Sequence, residues 1–530
     1  MNKYYTKIHS KLIAICLMLG WLIAASATAA VADNRPNILL IYADDMGYGE
    51  VSSYNPERNK IPTPHIDKLA SEGMRFTDAH SSSAVCSPSR YTLLTGRYHW
   101  RSRLQRGIVG LWRASLIAPD RLTLGSLVRE HGYHAAMVGK WHLGMDWPIP
   151  KDKRPLLSAP KDKNIPVTDE HKAFWNELFS QEIPGGPVDR GFDRHFGTDV
   201  PNWPPYAFFE NGRTDGIPSE FLPVRHFQTD LIASNQGPAL KNWSFEAILP
   251  ALGDRASQWI GEYAQSDQPF FLFMALTTPH TPISPSQAWQ GKSDLGPYGD
   301  LVMETDAIVG QVLAALDKSG IADNTLVIFT TDNGFAHYVG VKELEEAGHF
   351  PSGPLRGYKS DVWEGGHRVP TIVRWPGKVE PGSVNHQLVH QADLLATFAD
   401  ILGHELPANA GEDSFSLLPL FDDPATPVRP HAINQSISGM LAVRQGPWKL
   451  IFGQGSGGWT EGGDQHPAQL YNLADDLGET HNLYAEHPER VAAMTSLMEK
   501  LVADGRSTPG DRQKNDVTVR GWQRFLKNNR

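Results

Sequence analysis

Four short apolar runs in this chain each stop at a cluster of polar residues. In "PNILLIYADDMGYG" the run from Ile38 to Tyr42 stops at Asp44 and Asp45, and "YHAAMVGKWHLG" runs into Lys140 and His142. "PFFLFMALTTPHTP" ends at His280, and "NTLVIFTTDNG" ends at Asp332 and Asn333. Continuous apolar runs of strand length, alternating with helical patterns, specify strands buried on both faces of a parallel sheet. Val302, Val309, Val312, Leu313 and Leu316 recur at helical spacing in "LVMETDAIVGQVLAALDKSG", and "HQADLLATFADILG" is closed by Gly403 as a helix cap. The expected class is therefore α/β, with a large mixed, mostly parallel sheet sandwiched by helices. In open sheets of this kind ligands bind beyond the carboxyl ends of the strands. An isolated Asp-Asp or Asp-Asn-Gly is ordinarily a turn, but four polar clusters delivered to one rim make a site.

The chemistry of that rim narrows its ligand. Asp44, Asp45, Asp332 and Asn333 offer only oxygen, which suits a hard divalent cation, Ca²⁺ slightly better than Mg²⁺; zinc would call for His or Cys. The N-terminus combines Lys3, Lys7 and Lys11, the apolar run "LIAICLMLGWLIAA" and the small residues "ASATAAVA". That is a secretory leader over residues 1–32, with cleavage near 29–32, and it predicts an exported protein, periplasmic or extracellular. The apolar run is short against the roughly 20 residues of a bilayer span, and no long apolar segment follows, so no stable membrane insertion is expected. Of the two cysteines, Cys16 falls in the leader, leaving Cys86 alone in "CSPSRYTLLTGR". A lone thiol in an oxidising compartment has no intrachain partner. With Ser87, Pro88, Ser89 and Arg90 beside it, Cys86 reads as a chemically altered residue, not an inert buried one. A net charge of -10 excludes a nucleic-acid partner.

The segment "CSPSR" at 86–90, followed by "LTGR", resembles the signature of the type I formylglycine-dependent sulfatases of the alkaline-phosphatase-like superfamily. "NILLIYADDMGYG", "GKWHLG", "GFDRHFG", "PHTP", "TTDNG" and "GYKSDVWEGGHRVP" resemble further family elements in family order, from about Pro36 to Gly403, with a weaker tail in "VRQGPWKLI" and "LYNLADDLGETHNL". The resemblance implies an alkaline-phosphatase-like fold, with a sulfatase catalytic domain over 33–421 and a C-terminal subdomain, a small antiparallel sheet with a packed helix, over 422–530. It implies that a formylglycine-generating enzyme, reading Pro88 and Arg90, converts Cys86 to Cα-formylglycine. The hydrated aldehyde would then attack sulfur, giving a covalent sulfated enzyme. Asp44, Asp45, Asp332 and Asn333 would hold one Ca²⁺, with modified Cys86 and the substrate sulfate completing its shell. Arg90 would stabilise the hydrate's charge, and Lys140 and Lys359 would bind sulfate oxygens. His280, with Lys359, would serve the leaving oxygen as general acid, and His142 would take the proton whose removal expels sulfate. Three aspartates, one divalent cation and three basic side chains would leave the pocket at about +2, the sign an anionic ester needs.

Substrate contacts are expected from insertions between 151 and 230. "TDVPNWPPYAFFENGR" concentrates Trp203, Tyr206, Phe208 and Phe209 with Asn202 and Asn211, a mixture suited to sugar rings. "HWRSRLQRG" adds Trp100, Arg101 and Arg103, where arginines could pair with neighbouring sulfate or carboxylate groups. Beyond Asp422, "LAVRQGPWKLIFG" and "AQLYNLADD" read as two strands around a Gly-rich loop, followed by a helix from about His487 to Ala503. His431 and the loop 453–467 are expected to narrow the mouth of the site. The predicted substrate is a sulfated carbohydrate, such as an algal galactan (carrageenan) or a glycosaminoglycan. Two alternatives stand beside it: a phosphonate monoester or phosphodiester hydrolase of the same superfamily, and a non-catalytic carbohydrate-binding relative, against which every implied catalytic position is filled.

Overall fold

The computed structural model describes residues 35–157, 166–223, 234–463, 465–520 and 522. The leader over 1–32 lies outside the described residues, as do the parts of the expected insertion at 158–165 and 224–233.

The apolar runs form the centre of one ten-stranded sheet. In chain order its strands are β1 (Asn37–Asp44), β2 (Met74–Phe76), β3 (His134–Lys140), β4 (Arg194–Thr198), β5 (Phe209–Glu210), β6 (Arg213–Thr214), β7 (Phe270–Pro279), β8 (Thr325–Thr331), β9 (Thr371–Arg374) and β10 (Ser383–Asn385). Across the sheet they run β10-β2-β9-β8-β1-β7-β3-β4-β5-β6. The five strands from β8 to β4 are mutually parallel, and β9 and β5 flank them antiparallel.

The reason for the continuous apolar runs is visible in how alternate residues divide. Ile38, Leu40 and Tyr42 join Phe271, Phe273 and Ile328 in one buried cluster. Leu39, Ile41 and Ala43 join Leu272, Met274, Val327 and Phe329 in another, on the opposite face. The first face packs against α2 (Leu124–Glu130) and α5 (Leu394–Ile401), and against parts of α1 (Cys86–Thr95). The second packs against α3 (Ile248–Tyr263) and α4 (Gly296–Lys318), the latter through Val302, Val309, Val312, Leu313 and Leu316. Helix α4 starts earlier than its apolar pattern suggested, because Pro297 is accommodated in the first turn, where a missing N–H costs nothing. Gly403 follows α5 with φ of 63°.

The C-terminal sheet has four antiparallel strands, β11 (Ala432–Gln435), β12 (Leu441–Gln445), β13 (Trp448–Ile451) and β14 (Gln469–Asn472), with α6 (Pro488–Asp504) beside them. This corrects the reading of "LAVRQGPWKLIFG" as one strand: Gly446, at φ of 55°, turns it into the β12–β13 hairpin. Trp100 is packed under this sheet with Ile433, Leu450 and Met498.

A buried ionic network ties the two sheets together. Lys449 on β13 lies 2.9 Å from Glu364 and 2.8 Å from Glu479, and Arg444 on β12 lies 3.0 Å from Asp78. His80 and His367 meet through their Nδ1 atoms at 3.1 Å. Burial drives the Glu479 carboxyl up to about 7 in spite of Lys449, so removal of the lysine would strand Glu479 as a buried acid and leave Glu364 to Arg368 and Arg444 alone. Lys449→Ala is expected to cost about 3 kcal/mol of unfolding free energy in urea titration. The exposed pair Lys342–Glu346 sets the contrast: Lys342→Ala should change stability by less than about 0.5 kcal/mol.

Candidate active site

Each cluster that closes a strand arrives at the same rim. Asp44 is the last residue of β1, and Asp45 follows it with φ of 65°. Lys140 ends β3, His280 follows β7, and Asp332 and Asn333 follow β8. His142, with φ of 53°, and Ser360, with φ of 83° beside Lys359, are also held in the left-handed region. Non-glycine residues there cost of order 1 kcal/mol each and cluster where a side chain must be aimed. Helix α1 supplies Cys86 at its first position and Arg90 one turn on, and all ten of its residues are buried. Ser89 stitches the helix start to the preceding loop through Ser83 O and Val85 O. Gly96 ends the helix at φ of 61°.

The ionic groups form a compensated cluster. Lys140 Nζ donates to Asp44 Oδ2 at 2.6 Å, and Lys359 Nζ to Asp45 Oδ2 at 2.5 Å. Arg90 donates through Nη2 and Nε to Asp332 Oδ2, at 2.9 and 3.2 Å, and its Nη2 lies 3.5 Å from Asp44. The same guanidinium donates to Lys140 O and sits 5.3 Å from the Tyr42 ring centre. Burial opposes ionisation of Asp44, yet Lys140, His280 and Arg90 together hold it well below the usual carboxylate range. For Asp332 burial and the neighbouring Asp44 prevail over Arg90 and push the carboxyl up to about 7. Burial pushes the Cys86 thiol up as well, although Lys140 and Lys359 pull the other way. Burial, then Lys140 and Lys359, bring His280 down to about 4, so its imidazole is neutral.

The donor set fits a hard divalent cation. One ligand atom from each of Asp44, Asp45, Cys86 and His280 lies within 4.8 Å of the others. Asn333 donates through Nδ2 to Asp45 Oδ1 at 2.8 Å, while its Oδ1 is buried without a hydrogen-bond partner. An orphaned amide oxygen among carboxylates is what Ca²⁺ coordination uses. Asp332 Oδ1 accepts from the Asp45 backbone N–H at 3.1 Å, which fixes it beside the group. Both ring nitrogens of His142 are buried without partners. His280 donates from Nδ1 to Thr281 O at 2.6 Å, presenting Nε2 toward Asp45 at 3.8 Å.

A cavity of about 570 Å³ opens over this cluster, lined by Cys86, His142, His280 and Lys359. Of the sequence-based substrate contacts, only Asn202 and Trp203 reach its wall. Tyr206 and Phe209 are buried, and Phe208 stacks on Phe196, in each case as packing under the loop. Asn211 caps the β4 edge by accepting from the His195 N–H. Trp100 is fully buried and Arg101 pairs with Asp413 at 2.8 Å, so neither faces a substrate. His431 is likewise packed against Phe415, away from the mouth. The loop 453–467 does reach it, through Trp459. Sequence reasoning missed Tyr338, Asn235, Ile108 and Ile437, which line the same cavity from segments with no motif of their own. Cys86 is itself buried, and its polar neighbours Ser87, Ser89 and Arg90 are buried with it, as is Pro88.

Lys140 neutralises the Asp44 carboxylate that a divalent cation would also neutralise, so the two should substitute for one another in stability. In calcium-free buffer Lys140→Met is expected to lose about 3 kcal/mol, read by thermal unfolding. Millimolar Ca²⁺ should return a large part of that loss, while stabilising the unsubstituted protein less.

The residues of this rim all fall in a region that matches a known family. Residues 36–404 match the sulfatase model, and residues 358–506 match the C-terminal region of N-sulphoglucosamine sulphohydrolase. The N-acetylgalactosamine-6-O-sulfatase of Bacteroides thetaiotaomicron is 32% identical over 508 residues, covering 88% of this chain and 93% of its own. Arylsulfatase A of Homo sapiens is 32% identical over 486 residues, covering 87% and 86%. A Bacteroides thetaiotaomicron structure described with the metabolism of multiple glycosaminoglycans superposes at a TM-score of 0.73 with 30% identity, over 88% of this chain and 99% of its own. From Asp44 to Lys359 the ionic rim lies wholly inside the matched span, and this chain belongs to the sulfatase family, as a hydrolase of sulfuric esters.

Proposed function

We propose that this sulfatase removes sulfate from a sulfated carbohydrate, with a hydrated Cα-formylglycine formed from Cys86 as its nucleophile and Ca²⁺ as its cation. The observation that carries the reading is the cavity itself. Cys86, His142, His280 and Lys359 meet in one chamber whose wall adds Trp203, Tyr338 and Trp459 to Asn202 and Asn235. Aromatic faces and amides around an ionic floor suit a sugar bearing a sulfate. Two relatives narrow the choice: the Bacteroides protein, and an N-acetylgalactosamine-6-sulfatase of Canis lupus familiaris, 31% identical over 548 residues and covering 95% of this chain. A 6-sulfated N-acetylgalactosamine unit is therefore the first substrate to test, ahead of sulfated galactans.

The cation held by Asp44, Asp45, Asp332 and Asn333 would supply positive charge to the sulfate, and the altered Cys86 the attacking oxygen. The chain's own residues do the rest. Lys140 and Lys359 carry positive charge to the sulfate oxygens. His142, with both nitrogens unpartnered, is free to accept a proton from residue 86. His280 is neutral and locked through Nδ1, so the proton for the leaving oxygen comes from the Lys359–His280 pair with Lys359 as its carrier. This reading includes a formylglycine-generating enzyme as maturation partner, removal of the leader, action outside the cytoplasm, and a catalytic domain followed from about residue 422 by a subdomain. Among the described residues no helix is long and apolar enough to cross a membrane.

The test is sulfate release from N-acetylgalactosamine 6-sulfate, 6-sulfated chondroitin oligosaccharides and κ-carrageenan oligosaccharides, with phenyl phosphonate esters as the rival substrate. Protein co-expressed with the modifying enzyme should release sulfate from at least one sugar; turnover of the phosphonate alone would refute the reading. Cys86→Ala should abolish release, and peptide mass spectrometry should find residue 86 altered in active protein. His142→Ala should lower kcat by about 10² to 10⁴ while leaving KM nearly unchanged, as loss of a proton acceptor does.

A further inference from the structure

Beside the active-site cavity lies a second concavity of about 420 Å³, lined by Arg103, Gln105, Arg106, Ser438, Gly439 and Arg520 among others. We propose that it is a subsite for an anionic group, sulfate or carboxylate, on a sugar next to the one being desulfated. The proposal rests on the carbohydrate reading above and extends it from a single sulfated sugar to a polyanionic chain.

The two spaces share a wall. Ile437 lines the active-site cavity and Ser438, about 3.8 Å on in Cα spacing, lines the groove. Ile108 lines the cavity and Arg106 the groove. Between them the Gly107 N–H donates to Ile437 O at 2.8 Å, so the partition is a pair of hydrogen-bonded loops one residue thick. A glycan seated in the cavity and continuing over that partition meets the arginines next.

The groove is built, not incidental. Gly439, at φ of 91°, lets the two loops touch: a Cβ there would lie 2.9 Å from Gln105 O and 3.2 Å from Arg106 Cβ. Gln105 donates to Thr518 O at 2.9 Å, which ties in the segment carrying Arg520. Arg103 donates to Ala114 O and Ser115 O, both at 2.7 Å, which orients its guanidinium without neutralising it. The lining holds three guanidinium groups and no carboxylate, in a chain with 59 acidic and 49 basic residues. Val517 also lines the groove, and the acid beside it in the chain, Asp516, is engaged by Arg97 at 3.0 Å. Among the described residues, Arg106 and Arg520 have no acidic partner. Planar guanidinium forks match sulfate and carboxylate oxygens in pairs, and three of them together select an anion.

The experiment uses the full chain with Arg106→Gln and Arg520→Gln, singly and together. Binding of chondroitin 6-sulfate hexasaccharide is measured by calorimetry in a Cys86→Ala background, where nothing turns over. The double variant should bind about tenfold more weakly, as loss of two partly exposed charge-assisted pairs gives. Chemically desulfated chondroitin, which keeps its carboxylates, separates the two anions: a loss confined to the sulfated oligosaccharide assigns the groove to sulfate, and an equal loss for both assigns it to carboxylate. Unchanged affinity for both overturns the subsite. In the Cys86 enzyme the double variant should release sulfate from N-acetylgalactosamine 6-sulfate as fast as the parent, since a monosaccharide does not cross the partition. A parallel fall there would show that the arginines serve the fold, and would also overturn it. If the parent releases sulfate from no sugar while the arginines still bind the hexasaccharide, the substrate reading fails and the subsite stands.

Discussion

The structure turns on the cost of carrying ionised groups into a dry rim. Asp44, Asp45 and Asp332 are all but inaccessible to water, and each is met by a cation: Lys140, Lys359 and Arg90. An unpaired carboxylate there would cost several kcal/mol, or protonate instead. Much of the surrounding architecture follows from that demand. Lys140 must end its strand at the level of Asp44, and α1 must be buried from end to end so that Arg90 can reach Asp332. A divalent cation added to three balanced pairs leaves the rim positive, which is the condition for holding an anionic ester.

The central sheet and its rim were legible in the sequence because both rest on local patterns. An apolar run of strand length followed by Asp-Asp, Asp-Asn or a lone His states the strand, its burial and its end within about a dozen residues. The topological rule for open sheets then gathers the ends without knowledge of strand order. What stayed hidden depends on contacts distant in the chain. Trp203 and Phe209 look alike in sequence, yet one faces the cavity and the other the core, and only the path of the following loop decides which. Arg101 and Arg103 sit two residues apart, and Asp413, more than 300 positions on, claims the first. The hairpin at Gly446 was hidden for a different reason, since Arg444 and Lys449 look like surface residues until their buried acids are known.

The C-terminal sheet is more than a neighbour to the catalytic rim. Its loops send Ile437 and Trp459 into the cavity. Ser360 holds them there, accepting the Ile437 N–H at its carbonyl and the Trp459 N–H at its hydroxyl. Ser360 adjoins Lys359, so the segment that closes the chamber also grips the segment that arms it. The ionic network around Lys449 anchors the far end of the same stretch through Glu364. A functional unit thus crosses the boundary that strand order and motif position would draw near residue 422.

Cys86 is only 2% exposed, on a helix with no free face. No second protein could surround that side chain once the sheet and α1 have closed over it. Tailoring of the residue by another protein would therefore belong to the chain before it has folded, and its window would shut when folding finishes. Were activity to require such a change, folding rate and tailoring rate would compete, and the yield of competent molecules would be fixed before the first encounter with substrate.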